Sequence, residues 1–280
     1  MYTNLSMGAL GLKADYPTAV DLAVKHGFDA VEGNLGWFEG LGDEARIKDA
    51  ADEIRGKGLR LGPGGCPVNF NADPVSFGQQ LAALPTKIGV LTAAGIDSVG
   101  TWVRPMSDDL TYRRNWIQHA ERISLAAQVL GDSGIRLGLE YIGPKTFWST
   151  EMYPFVHTLA EARALIADTG CDNVGVVLDS YHWYTAHEGV SDLLALRPSD
   201  IVAMDLNDAP VGREIDEQQD LDRRLPGATG VIDTPGMVAA LKEIGYDGPV
   251  KVEPFMKSLA ERDVDEVLAG VSAGLRKALA

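Results

Sequence analysis

The sequence is poor in cysteine: Cys66 and Cys171 are the only two, and they form no CxxC pair. Two separated thiols are too few for a disulfide scaffold or for a cysteine-based structural zinc site. Free cysteines in this number are typical of proteins from a reducing compartment. We therefore expect a cytoplasmic protein without structural disulfides.

Long apolar runs and an excess of basic residues are missing as well. No stretch approaches the roughly 18 apolar residues of a membrane span, and MYTNLSMGALGLKADYP lacks the basic and apolar segments of an export signal. The 25 basic and 40 acidic residues give a formal charge of −15. That charge favours solubility and repels phosphate backbones and anionic lipids. We expect no export, no membrane association and no nucleic-acid partner.

Short apolar runs alternate with amphipathic, Ala- and Leu-rich stretches along the whole chain, without a low-complexity linker. This alternation predicts a (β/α)8 TIM barrel, formed as a single domain over residues 1–280. An open doubly wound sheet is the alternative, although GALGLKAD lacks the GxGxxG turn of that fold. The eight predicted strands are 2–7, 29–34, 59–64, 97–103, 136–142, 174–181, 201–207 and 249–254.

Two long predicted loops follow the fourth and seventh strands, at 104–110 and 208–233. Loops that follow barrel strands form the active-site face of a TIM barrel. A long loop in a compact domain is usually functional. The catalytic end of the predicted barrel therefore includes both segments.

Acidic residues stand at the C-terminal ends of the last four predicted strands: Glu140, Asp179, Asp205 and Glu253. One such acid is more typical of a helix cap or an ion pair. Four at one barrel mouth would repel each other or retain protons unless a cation lies between them. An all-oxygen set suits Mn²⁺ or Mg²⁺ better than a metal that prefers thiolates. The pattern predicts a divalent-metal site.

The segments GLEY, LDSYH, LNDAP…RRLPGATGVID and GYDGPVKVEPF resemble the sugar phosphate isomerase/epimerase family, whose members are xylose isomerase-like. The resemblance covers essentially the whole chain and implies a TIM barrel with one divalent metal held by Glu, Asp, His and Glu. Glu140, Asp179 and Glu253 match three of those ligands. Asp205 stands where the family has histidine, and a carboxylate there favours Mn²⁺, with Mg²⁺ or Co²⁺ as alternatives, over Zn²⁺.

The same resemblance implies roles for other side chains. His182 follows Asp179 in a DxxH pair and is expected to contact substrate oxygens. Arg223 matches the arginine of RxLPG and is expected to bind a substrate hydroxyl or phosphate, because a guanidinium suits oxyanions. Residues with weaker claims are Glu32 and Lys145 at the pocket rim and Trp183, which, with Trp37, Trp102 and Trp148, offers a ring for a sugar face.

The resemblance implies an isomerase or epimerase in which Glu140 and Glu253 exchange a proton with a metal-stabilised enediolate of a ketose or keto-polyol. A lyase reaction on the same enediolate, as in inosose dehydratases or 3-keto-C-glycoside deglycosidases, stays open. An apurinic endonuclease is the less favoured enzyme, because five histidines and a net charge of −15 suit neither a histidine-rich zinc site nor DNA. A metal-free partner subunit or sugar-binding module also stays open, as does a homo-oligomer.

Overall fold

Eight parallel strands close into a barrel in the computed structural model, which describes residues 1–280. We number the barrel strands in chain order. They are β1 (Tyr2–Leu5), β2 (Ala30–Gly33), β3 (Arg60–Gly65), β4 (Ser98–Trp102), β5 (Arg136–Glu140), β6 (Val174–Asp179), β7 (Ile201–Asp205) and β8 (Pro249–Lys251). Each strand pairs with its neighbours along the chain, and β8 pairs with β1. The predicted (β/α)8 barrel is confirmed, and the open doubly wound sheet is wrong.

Helices follow every strand and surround the barrel. They are α1 (Tyr16–Lys25), α2 (Leu35–Gly40), α3 (Glu44–Gly56), α4 (Pro74–Ala94), α5 (Tyr112–Gly131), α6 (Lys145–Trp148), α7 (Leu159–Thr169), α8 (Ser180–Thr185), α9 (Val190–Leu194), α10 (Thr234–Glu243) and α11 (Val264–Leu279). Short 3-10 turns lie at Pro198–Asp200, Ile215–Glu217 and Lys257–Glu261. None of the helices combines the length and apolar character that crossing a membrane requires.

Local sequence signals explain where these helices begin and end. Asp15 and Asp73, for example, accept hydrogen bonds from backbone N–H groups in the first turns of α1 and α4. The residue after α4 is Gly95, whose φ of 70° lies in the left-handed region that favours glycine. The chain therefore turns back toward the barrel at the predicted junctions.

The strands end earlier than predicted on the side of the barrel where the acids lie. β7 ends at Asp205 and β8 at Lys251, so Glu253 lies two residues beyond its strand. Asn207 replaces the lost backbone pairing, because its side-chain oxygen accepts a hydrogen bond from the Glu253 N–H at 2.9 Å. The long 208–233 loop is also structured, with a bridge between Asp208 and Arg224.

Close packing between β6 and its surroundings requires glycine at one position. A Cβ on Gly175 would lie 2.7 Å from the Asp200 carbonyl oxygen and 3.1 Å from a Val202 methyl. We expect Gly175→Ala to lower the free energy of unfolding by about 1–3 kcal/mol through overpacking. Chemical denaturation measures this loss.

Gly89 provides the matched control, because it lies inside α4 with open space around its Cα. Gly89→Ala should stabilise the protein by about 0.5–1 kcal/mol through helix propensity. If Gly175→Ala were as stable as the wild type, the close packing described at β6 would be contradicted.

Candidate metal centre and active site

Four carboxylates converge at the C-terminal end of the barrel. Glu140 ends β5, Asp179 ends β6, Asp205 ends β7 and Glu253 follows β8. Asp179 and Asp205 are direct partners in the β6–β7 register. One oxygen from each of the four residues lies within 4.8 Å of the others. This is the set that the strand-end pattern brings together, and it is arranged so that it could hold a metal ion.

Two cationic side chains face the four acids. Arg223 donates a hydrogen bond to Asp179 at 2.7 Å and lies 3.5 Å from a Glu253 oxygen. The Lys251 ammonium lies 3.3 Å from Asp205 and 3.8 Å from the other Glu253 oxygen. With all six groups ionised, two negative charges stay unbalanced. A divalent cation matches that excess.

Burial and mutual repulsion act on the proton affinity of these acids. Burial raises the pKa of Glu140 well above its ordinary value, and its three carboxylate neighbours raise it further. Burial raises the pKa of Asp205 to about 7, although Lys251 opposes the shift. Burial also acts to raise the pKa of Asp179, but the Arg223 charge and several hydrogen bonds lower it overall. Without a cation, the cluster holds protons that a cation would replace.

Two buried oxygens in the cluster lack any hydrogen-bond partner: Oε1 of Glu140 and Oδ1 of Asp205. A buried polar atom without a partner costs free energy, and such atoms in native proteins need an explanation. Both oxygens belong to the metal-competent set, and hard cations prefer oxygen ligands. The residues present therefore fit a divalent cation.

Two neighbouring residues in the LND motif, Asn207 and Asp208, hold the acids and the long loop in position through hydrogen bonds. The Asn207 amide donates to Asp179 at 3.0 Å and accepts from the Glu253 N–H at 2.9 Å, so one buried side chain orients both acids. Asp208 accepts N–H bonds of 2.8 Å from Thr229 and 3.0 Å from Ile232, which fixes the long loop. The LND motif carries part of the family resemblance, but its spacing alone indicates no role for either residue.

A cavity of about 640 Å³ lies over the acids, and Glu140 and Glu253 form part of its floor. The remaining lining residues are Trp102, Ile142, Thr146, Phe147, His182, Gln219, Asp220, Leu221, Asp222, Arg223 and Phe255. This mixture of polar groups and aromatic rings is typical of sites for small molecules. A narrower chamber of about 140 Å³ adjoins it and includes Glu32, Asp205 and Lys251.

Phe255 combines an unusual backbone with an exposed ring at this cavity. Its φ of 49° lies in the left-handed region that non-glycine residues rarely adopt. The ring covers the Arg223 guanidinium, whose central carbon lies 4.7 Å from the ring centroid. Such backbone strain is typical of functional sites, because the surrounding structure must maintain it.

His182 and Arg223 both reach the cavity, but each is occupied by protein contacts. His182 is fully buried, with Nε2 3.6 Å from Glu140 and 3.2 Å from Arg223. Burial lowers the pKa of His182 to about 4, so the ring is neutral at pH 7. Arg223 also donates to Asp220 at 2.9 Å. Its guanidinium therefore holds acids together, and sequence reasoning missed that contact.

Other predicted substrate contacts lie farther from the acids. Glu32 lines the narrow chamber and accepts a hydrogen bond from the Ser6 hydroxyl at 2.6 Å. Lys145 is half exposed and pairs with Asp216 at 2.6 Å, outside the set that lines the large cavity.

The four tryptophans at strand ends have different surroundings. Trp183 is buried, and its indole N–H donates to the Gly189 carbonyl. Trp37 packs on Phe38, and Trp148 stacks on a histidine ring. Trp102 is 44% exposed and lines the cavity. Of the four rings, the structure brings only Trp102 to the large cavity.

A family model described as "Xylose isomerase-like TIM barrel" matches residues 20–275. The chain belongs to this family. The predicted family resemblance is thereby confirmed, and the strand-end acids occupy the mouth of a xylose isomerase-like barrel.

Among curated relatives, an inosose isomerase of Halalkalibacterium halodurans is 33% identical over 138 residues, which are 48% of this chain and 45% of the relative. The match thus spans less than half of that relative's length. Among solved structures, a xylose isomerase domain protein from Alicyclobacillus acidocaldarius has a TM-score of 0.87 and 28% identity, covering 99% of this chain and 96% of its own. A D-psicose 3-epimerase shares the fold at 19% identity, with a TM-score of 0.76 and coverage of 100% and 99%.

The raised pKa of Asp205 has a measurable consequence in the metal-free protein. The unfolded chain ionises aspartate near pH 4, whereas the folded state retains the Asp205 proton until about pH 7. Unfolding therefore releases a proton between these values, and stability is lost as the pH rises. We expect the Tm of chelator-treated wild type to fall relative to that of Asp205→Asn between about pH 5 and about pH 8.

Asp49→Asn serves as the control, because Asp49 is an exposed residue inside α3. That variant should follow the wild type at every pH. Parallel Tm curves for the wild type and Asp205→Asn would show that Asp205 ionises normally in the fold.

Proposed function

We propose that the protein is a divalent-metal-dependent sugar isomerase or epimerase that acts on a ketose or keto-polyol. The observation that carries this proposal is the placement of Glu140 and Glu253 in one metal-competent cluster, on the floor of one cavity. The names of its relatives, an inosose isomerase and a D-psicose 3-epimerase, agree with this chemistry.

In this proposal, Glu140, Asp179, Asp205 and Glu253 hold the cation. The cation would supply the positive charge that acidifies the C–H beside a carbonyl and stabilises the enediolate. We favour Mn²⁺, with Mg²⁺ or Co²⁺ as alternatives, because every ligand atom is a carboxylate oxygen. The solved structure of the IolI protein, 20% identical with a TM-score of 0.83, contains a zinc atom and shares the fold.

Glu253 is proposed as the base that removes the proton. One of its oxygens lies 3.5 Å from Arg223 and the other 3.8 Å from Lys251. Burial raises the pKa of Glu253 overall, although these two cations oppose the shift, so the carboxylate binds a proton more readily than an ordinary glutamate does, as a base requires. Glu140 lacks such a pair of cations and lies 3.6 Å from His182. It is proposed to return the proton, to the opposite face in epimerisation or to the neighbouring carbon in isomerisation.

Substrate contacts are proposed for the cavity walls. The neutral His182 ring is suited to a hydroxyl group, and Arg223 orients Asp179 and Glu253 rather than binding substrate alone. Trp102, Phe147 and Phe255 offer rings to C–H faces of a sugar. Glu32 would contact hydroxyl groups that reach the narrow chamber.

A second candidate is a lyase that expels a β-substituent from the same enediolate. The apolar residues Trp102, Ile142, Phe147, Leu221 and Phe255 line the large cavity. This apolar surface favours a substrate with an apolar group attached to its sugar.

Incubation with Mn²⁺ in D₂O, first with ketoses and inososes and then with 3-keto-glycosides, distinguishes the isomerase or epimerase reaction from the lyase reaction. Exchange of C–H for C–D without loss of a group supports the isomerase or epimerase.

Replacement of Glu253 tests the proposed base. Glu253→Gln keeps the shape of the side chain but cannot accept the proton, and we expect exchange to fall at least about 10²-fold. NMR detection of deuterium incorporation measures the rate. Glu243→Gln, at the exposed end of α10, should match the wild type. Wild-type exchange in Glu253→Gln would eliminate Glu253 as the base.

Direct metal analysis tests the non-catalytic alternative. Protein purified without chelator should contain about one divalent ion per chain if the four acids form a metal site. A metal-free protein with an unchanged Tm in added Mn²⁺ would favour a partner subunit or a sugar-binding module instead.

A further inference from the structure

Lys251 lies inside the barrel, directly beside the acid that departs from the pattern implied by the family resemblance. It is the register partner of Asp205 in the β7–β8 pair. Lys251 and Glu253 lie side by side at the barrel mouth, because the Lys251 ammonium is 3.8 Å from a Glu253 oxygen. The Lys251 ammonium lies 3.3 Å from Oδ2 of Asp205, in a side chain that is 22% exposed. Asp205 on β7 and Lys251 on β8 are thus an acid and a base that face each other.

The two cations of the site are divided between the two aspartates. Arg223 contacts Asp179 at 2.7 Å, and no salt bridge joins it to Asp205. Lys251 contacts Asp205, and none of its ion pairs involves Asp179. The charge of Asp205 is therefore offset by Lys251 alone. A buried carboxylate without such a partner would be strongly destabilising.

The two oxygens of Asp205 differ in their surroundings. Oδ2 faces the Lys251 ammonium, whereas Oδ1 is buried without any partner. Only Oδ1 is free to bind another group. With its charge offset and one oxygen engaged, Asp205 offers a single donor atom and little net charge, as a neutral imidazole would.

We infer that Lys251 is a positioning residue that offsets the charge added by Asp205 and leaves Oδ1 as its one metal-binding oxygen. This inference rests on the proposed metal-dependent function. The Asp205–Lys251 pair takes the place of the histidine that the family resemblance implies. Counted over the four acids, Arg223 and Lys251, the net charge stays at −2, which suits a divalent cation.

Replacement of Asp205 by histidine should remove the negative charge nearest to the Lys251 ammonium. In Asp205→His, the Lys251 ammonium lies beside the cation without the carboxylate nearest to it, so we expect Mn²⁺ to bind at least about tenfold more weakly, or about 1.4 kcal/mol. In Asp205→His/Lys251→Met, the positive charge of Lys251 is also removed, and the affinity for Mn²⁺ should return to within about threefold of the wild-type value. Isothermal titration calorimetry at fixed ionic strength measures each Kd.

A matched control distinguishes the effect of the Lys251 charge at the site from the effect of the net charge of the whole protein. Lys57 lies outside the barrel and pairs with Asp21 at 2.8 Å. Asp205→His/Lys57→Met removes the same charge at a distance, where solvent screens it, and should bind Mn²⁺ as weakly as Asp205→His. Recovery in this control would attribute the effect to net charge and contradict the inference.

Thermal unfolding of the chelator-treated protein gives a readout that needs no metal. Measured at about pH 8, where Asp205 is ionised, Lys251→Met alone leaves the Asp205 carboxylate buried without its nearest counterion and should lower the Tm. In the Asp205→His background, the same change removes an ammonium whose remaining carboxylate neighbours, Glu253 and Glu32, lie 3.8 and 4.0 Å away, and it should lower the Tm less than it does in the wild type. Equal effects in both backgrounds would contradict the pairing. Lys251→Arg, which keeps the charge, should retain more stability than Lys251→Met.

The outcomes distinguish this inference from the proposed function. Wild type that binds no divalent cation overturns both. Wild type that binds Mn²⁺, with a double variant no tighter than Asp205→His, overturns only the role of Lys251.

Discussion

Four carboxylates held within one small volume are the constraint on which the rest of the site depends. Like charges at this distance, away from water, cannot all stay ionised without compensation. The chain supplies two compensating cations, Arg223 from the long loop and Lys251 from β8, each placed against a different aspartate. The remaining excess of two negative charges is what a divalent cation neutralises. The position of the loop, the register of the last strands and the chemistry of the mouth therefore form one electrostatic arrangement.

The supporting structure around the acids serves the same purpose. Asn207 bonds to both Asp179 and the Glu253 backbone, which fixes their separation although β8 has already ended. Asp208 binds the returning loop, and that loop delivers the Arg223 guanidinium into the mouth. Displacement of Asn207 would shift two acids, and displacement of Asp208 would shift the loop that carries Arg223.

Most of the fold could be predicted from the sequence, because strand and helix periodicity are local properties. The strand-end positions of Glu140, Asp179 and Asp205 followed from it, since parallel strands of a barrel end at one mouth. Lys251 could have been found the same way: it stands two residues before Glu253, so strand alternation places both on one face. The pattern of acids at the strand ends does not reveal this base.

Other features depend on tertiary contacts that spacing does not encode. Trp183 follows a strand end as predicted, but α8 begins immediately after β6 and turns the indole toward Gly189. Arg223 was expected to bind substrate, and its guanidinium also bonds to Asp179 at the end of β6 and to Asp220 of its own loop. Such pairings require the path of a 26-residue loop, 208–233, which local sequence signals do not specify.

The most direct measurement is anomalous diffraction from crystals grown with Mn²⁺. The account predicts one anomalous peak coordinated by an oxygen from each of Glu140, Asp179, Asp205 and Glu253, with Lys251 still facing the second oxygen of Asp205. A peak outside this cluster, or coordination that omits Asp205, would contradict it.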